Sequence, residues 1–242
     1  MRALLLLACA GCSTVLGIDD LSGPLAGDAA GDGPSIEPDG PDVPPGNLLI
    51  TGTVLTVNLD GVPGAMVDLV DQPAGIPSAA TVSVDDGTFA LVIDSNGAAF
   101  DGAALRVRSM QSSLATQVYF REALSPDRPL TDVKLQLFGD TAIDELAAQC
   151  GQPPGPTKSL FVVFSVGSQG AAVPNVPFTT APGATFCTDH NGVFGPTADT
   201  GSSGIAFAFE LLPGPVTVSL GGQARIGRVD IGTVTEVFVT AQ

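Results

Sequence analysis

The chain has no tryptophan, one histidine (His190), one tyrosine (Tyr119) and only 9 Lys+Arg in 242 residues. Against 25 Asp+Glu this leaves a net charge of −16. Nucleic acid and anionic lipid headgroups bind through counterion release by Lys and Arg, so neither is expected as a partner. Zinc would need Cys and His spacings that the chain lacks, and one His cannot build a site alone. No phosphate-binding Gly-x-x-x-x-Gly-Lys and no dinucleotide fingerprint occurs, so no cofactor is implied. What is present is 44% apolar residues, 30 Gly and 20 Pro. That mixture supplies a buried core with many turns, in a chain long enough for two small domains.

The N-terminus reads as a secretory signal: the positive Met1-Arg2, an apolar run from Ala3 to Ala10, then Gly11 and Cys12. The run is far shorter than the roughly 20 residues that cross a bilayer. Cysteine at this junction resembles the bacterial lipoprotein signal, in which the Cys exposed by cleavage carries lipid. Two registers stay open, Cys12 and Cys9. Cys12 leaves the more usual apolar length, whereas Leu6-Leu7-Ala8-Cys9 fits the lipobox better. The stretch from Cys12 to Leu21 also resembles the mature start of lipoproteins common in myxobacteria and related bacteria. The resemblance implies a membrane attachment through lipid. Ser13 in place of an Asp after Cys12 implies sorting to the bacterial outer membrane.

Residues 1–18 thus form the signal and mature start, and residues 19–46 a linker. The linker holds 12 Gly+Pro and seven acidic residues among 28, with no basic residue and no apolar period. Such a segment cannot bury enough surface to offset ordering, so a disordered acidic tether is expected.

After Gly46 the apolar period becomes two. Phe89, Leu91 and Ile93 share a face; Leu105 and Val107 alternate with Arg106 and Arg108; Val133, Leu135 and Leu137 alternate with Lys134 and Gln136. Leu160, Val162, Phe164 and Val166 follow, then Ile205, Phe207, Phe209 and Leu211, then Val216, Val218 and Leu220. One helix is expected at 141–149, where Ile143, Leu146 and Ala147 fall at i, i+3, i+4. The division is then a β unit over 47–140 and a second over 141–242.

The halves resemble each other. Val62-Pro63 recurs as Val173-Pro174, 111 residues on, and Asp85-Asp86-Gly87-Thr88-Phe89 recurs as His190-Asn191-Gly192-Val193-Phe194 after 105. Near-constant offsets suggest tandem duplication. Val-Pro-Gly-Ala, a strand over Met66–Val70 and a turn ending Asp-Gly-x-Phe resemble the carboxypeptidase regulatory-like, or transthyretin-like, β-sandwich. Gly204-Ile205-Ala206-Phe207 is as similar to bacterial immunoglobulin-like repeats. Either resemblance implies an all-β chain of two tandem antiparallel sandwiches.

Little chemistry is expected. Asp199-Thr200-Gly201-Ser202-Ser203 matches the aspartic protease string, but those enzymes need a second such Asp and the chain has no second Asp-Thr-Gly. His190 beside Asp189 and the turn Gly201-Ser202-Ser203-Gly204 lack the nucleophile-elbow pattern and read as hairpin tips. Asp85, Asp86 and Asp189 are the only candidates for calcium. Cys150 and Cys187, the pair left in the mature body, read as a disulfide in an exported chain. The expectation is therefore a non-enzymatic, lipid-anchored envelope protein whose β modules serve structure or bind protein or carbohydrate. A calcium-dependent adhesin and an accessory subunit of an envelope hydrolase are the alternatives.

Overall fold

The computed structural model describes residues 43–152, 155–168, 170–191 and 193–241. Both candidate lipidation cysteines, Cys9 and Cys12, the signal, most of the linker and Gly192 lie outside the described residues. The end of the expected linker is placed: the Gly46 carbonyl accepts the Gly97 amide at 2.9 Å and the Ser95 hydroxyl at 2.8 Å.

The all-β expectation holds. The strands are β1 (Asn47–Thr56), β2 (Met66–Val70), β3 (Ala80–Val82), β4 (Thr88–Asp94), β5 (Ala104–Arg108), β6 (Ala115–Tyr119) and β7 (Leu130–Leu137). After the helix α1 (Asp140–Gln149) come β8 (Leu160–Val166), β9 (Phe178–Ala181), β10 (Phe186–His190) and β11 (Val193–Thr197). β12 (Ile205–Phe209), β13 (Gly214–Leu220), β14 (Gln223–Val229) and β15 (Thr233–Thr240) follow among the described residues.

Among the described residues the strands form three sheets, in the orders β4-β1-β7, β11-β10-β12-β8-β15-β6-β5-β2-β3 and β14-β13-β9. The second is continuous through both halves because β15 pairs in parallel with β6, from Thr233–Ala115 to Val237–Tyr119. β1 with β7 and β8 with β15 are also parallel, additions to the antiparallel scheme that hairpin spacing suggests.

Side-chain alternation puts the outer sheets on opposite faces of this long sheet. One face carries Leu69, Leu105, Val118, Val162 and Phe164, which pack in one core with Ile50, Leu91 and Leu135 of the β4-β1-β7 sheet. Ile143 and Ala147 of α1 enter the same core. The other face carries Phe161, Val163, Val237 and Val239 against Phe178, Val216 and Val218 of β9 and β13. The result is a three-layer stack in which β8 is buried on both faces. The half-buried strand expected at Leu160–Val166 is corrected accordingly: Phe161 and Val163 are needed in the second core. Phe207, expected as a core residue, is only half-buried, whereas Phe209 is buried.

The duplication is visible in backbone hydrogen bonds. Val54 N–H donates to Gly87 O and Val62 N–H to Val54 O at 2.8 and 2.9 Å; Ser165 N–H donates to Gly204 O and Val173 N–H to Ser165 O at 2.9 and 2.8 Å. The Ser83 hydroxyl donates to Val62 O, and the Thr200 hydroxyl lies 3.4 Å from Val173 O. β4 of the first half therefore corresponds to β12, not to β11. The match of Gly87-Thr88-Phe89 with Gly192-Val193-Phe194 is replaced by Gly87 with Gly204. The β10–β11 hairpin is an addition on the β12 edge.

Candidate functional site

Because the β14-β13-β9 sheet covers only the second half of the long sheet, part of the same face of β2 and β5 stays open, while Gln117 and Tyr119 of β6 are buried at its edge. Strand alternation sends Val67, Leu69, Leu105 and Val107 into the core, and therefore sends Asp68, Arg106 and Arg108 to this open face. β14 and the residues after it supply the wall, with Arg228 and Asp230. Together they enclose a groove of about 580 Å³.

The groove is knit by charge. Arg106 Nη2 lies 2.5 Å from Asp68 Oδ2, and Arg108 Nη2 lies 3.4 Å from Asp68 Oδ1. Gln117 Nε2 donates to Asp230 Oδ2 at 3.1 Å, and Arg228 Nε lies 3.4 Å from Asp230 Oδ1. The Tyr119 hydroxyl donates to Asp71. Burial, then the Asp71 bond and its negative charge, push the Tyr119 hydroxyl far above the usual phenol range, so it stays a donor at any physiological pH. Three of the chain's nine cations gather here beside three carboxylates, in a protein of net charge −16. The arrangement offers paired donors and acceptors on a flat strand surface. It suits a polar ligand with hydroxyls or amides.

The residues singled out from sequence lie elsewhere. Cys150 and Cys187 form a disulfide, with Cα atoms 5.8 Å apart, which ties the C-cap of α1 to β10. His190 Nε2 and Asp199 Oδ1 come within 3.7 Å, a proximity that sequence reading did not foresee, but both are part-exposed. Asp199 Oδ1 accepts the Gly201 amide at 2.8 Å and the Thr197 hydroxyl at 3.1 Å, which makes it the organiser of its own turn. Ser202 Oγ donates to Asp189 O at 2.9 Å and accepts from Asn191 N. Asp189 is buried at the end of β10, whereas Asp85 and Asp86 are exposed. Asp86 caps its turn through the Thr88 hydroxyl and amide, which hold its carboxyl below the usual carboxylate range. Among the described residues no group of three or more His, Cys, Asp or Glu is placed to hold a metal ion.

Sequence reading missed Arg121 and Glu236. The Arg121 guanidinium, 5% exposed, donates to Gly167 O at 2.6 Å and so joins the first unit to the loop after β8. Glu236 stands in a row across the long sheet that runs Phe207, Val162, Glu236, Val118, Leu105, Leu69. The signal for it was present: Val234, Glu236 and Phe238 alternate, placing a carboxyl where an apolar residue belongs.

No protein-family model matches the sequence, and no curated protein matches it. Among solved structures the chain is similar to the Bacillus anthracis TIE protein, at 11% identity over 80% of this chain and 34% of that one, TM-score 0.28. It is similar to the dioxygenase domain of a dioxygenase carbohydrate-binding protein fusion from Streptomyces sp. SirexAA-E, at 16% identity over 46% and 96%, TM-score 0.27. It is also similar to a streptococcal ancillary pilin, at 9% identity over 83% and 64%, TM-score 0.26. The chain spans about a third of the length of the TIE protein. At these values neither fold nor residue role is carried over from those proteins.

Proposed function

We propose that this chain is a non-catalytic cell-envelope protein, held on the bacterial outer membrane by lipid on Cys12, that displays its β body for binding. The observation that carries the binding reading is the groove on β2 and β5 beside β14, which the separate pairs Asp68–Arg106 and Gln117–Asp230 line. Planar guanidinium–carboxylate pairs suit the vicinal hydroxyls of a carbohydrate or the backbone of an extended peptide. A non-catalytic role is favoured because the His190–Asp199 pair is long and part-exposed, and its carboxylate is already engaged by its own turn. Anchoring rests on the signal-like N-terminus ending in Cys12, with Cys9 as the alternative register.

The binding reading is tested by passing the full chain over immobilised envelope polysaccharide and peptidoglycan. Arg108→Ala and Arg228→Ala, both on part-exposed side chains, are expected to weaken retention at least tenfold. Retention equal to wild type in both would remove the groove from the function. For anchoring, Cys12→Ala is expected to lose acyl mass and leave the membrane fraction. If only Cys9→Ala does so the register moves, and if neither does the lipoprotein reading fails.

A further inference from the structure

Under the loop between β6 and β7 lies a second cavity, of about 50 Å³, distinct from the groove and on the opposite face of the long sheet. Val118, Phe120, Leu124, Leu130 and Phe238 give it apolar walls, and Glu236 projects into it. Glu236 is 3% exposed, and its Oε1 has no hydrogen-bond partner among the described residues. An acceptor left dry and unpaired costs about 1–3 kcal/mol, so the position is not one that packing alone favours.

The charged groups around the cavity do not serve it. Arg121 is committed to Gly167 O and Glu122, and Arg128 is bound to Glu122. Lys134 is exposed on β7 at the rim. No described side chain supplies the donor that Glu236 Oε1 lacks, so the cavity offers an acceptor to a donor from outside the fold. That donor must also bring apolar surface, because the walls offer little else to satisfy. Room for about four water-sized groups corresponds to a charged head and two or three methylenes. The chain's net charge of −16 attracts cations and repels acids.

We propose that this cavity binds the end of a primary alkylammonium, with the ammonium donating to Glu236 and its methylenes against Val118, Phe120, Leu124 and Phe238. A lysine side chain of a partner or the end of a polyamine has this chemistry. Burial pushes the free Glu236 carboxyl up to about 8, so at pH 7 it is mostly protonated. Binding ionises it: the carboxyl proton passes to the buffer, and the ammonium keeps its own three protons.

The test is calorimetric titration of the full chain with n-propylammonium chloride at pH 7, in two buffers of different ionisation enthalpy. Saturable binding with release of about one proton per site is expected, and propionamide and propionate should bind at least tenfold more weakly. Glu236→Gln, which keeps the shape and removes the ionisable group, should lose at least tenfold in affinity while its melting stays cooperative. If that variant does not fold, proton release by the wild type decides the matter. Absence of saturable binding, binding without proton release, or tighter binding of propionamide or propionate would overturn the proposal.

Discussion

Gly87 and Gly204 hold equivalent places in two copies of one turn: each carbonyl accepts the amide of the central strand of its unit, from Val54 and Ser165 respectively. Both have positive φ, +85° and +75°. A Cβ on Gly87 would lie 2.5 Å from Val54 O and 2.7 Å from Val62 N, whereas one on Gly204 would lie 3.0 Å from Val173 O. Gly87→Ala is therefore expected to cost about 2–3 kcal/mol and Gly204→Ala about 1–2 kcal/mol in chemical denaturation. The reverse order would mean that the first turn relaxes around the added carbon.

The two phenylalanines that follow these glycines are not equal. Phe89 is buried under β1, and its truncation to Ala is expected to lower stability by about 3–5 kcal/mol. Phe207 is half-buried beside the disulfide strand, and Phe207→Ala should cost about 1–2 kcal/mol. Urea midpoints at constant slope would measure both.

These contrasts show where sequence is informative. β4, β5, β7 and β13 have one polar and one apolar face, so a period of two locates them. The same period underestimates β8, because a strand inside a three-layer stack is apolar on both sides. The Asp-Gly and Asn-Gly tips misaligned the duplication: that chemistry serves any tight hairpin, and the inserted β10–β11 hairpin carries it too. The groove was hidden for another reason. Arg106 and Arg108 read as a solvated face, and only the offset of the outer sheets brings Arg228 and Asp230 beside them. Parallel pairing of β6 with β15 leaves no local signature at all.

The Cys150–Cys187 bond closes a loop with a sequence separation of 37. Replacing both cysteines by Ala is expected to lower stability by roughly 3–4 kcal/mol through the freed unfolded chain. Thermal melts of the oxidised protein and the double variant would measure the difference.

Glu236 sets a pH dependence. Its folded carboxyl titrates near 8 against about 4.5 unfolded, so between these values the folded state holds the extra proton and stability falls as pH rises. The whole window corresponds to an order-of-magnitude loss of about 4–5 kcal/mol, fully present only above pH 8. Unfolding free energies at pH 5 and 8 should converge in Glu236→Gln relative to wild type. An identical pH slope in the two proteins would show that this carboxyl is not protonated in the fold.

β15 meets β6 across 118 positions of chain, from Ala115 to Thr233. During synthesis the first unit is complete long before its neighbour strand exists, so one side of β6 is an unpaired edge while β8 to β14 are still being made. Closing so distant a parallel pair is slow. In that interval Thr116, Gln117 and Val118 present a free ladder to any other strand. A chain of this design therefore depends on being kept apart from its own copies until its β15 has docked.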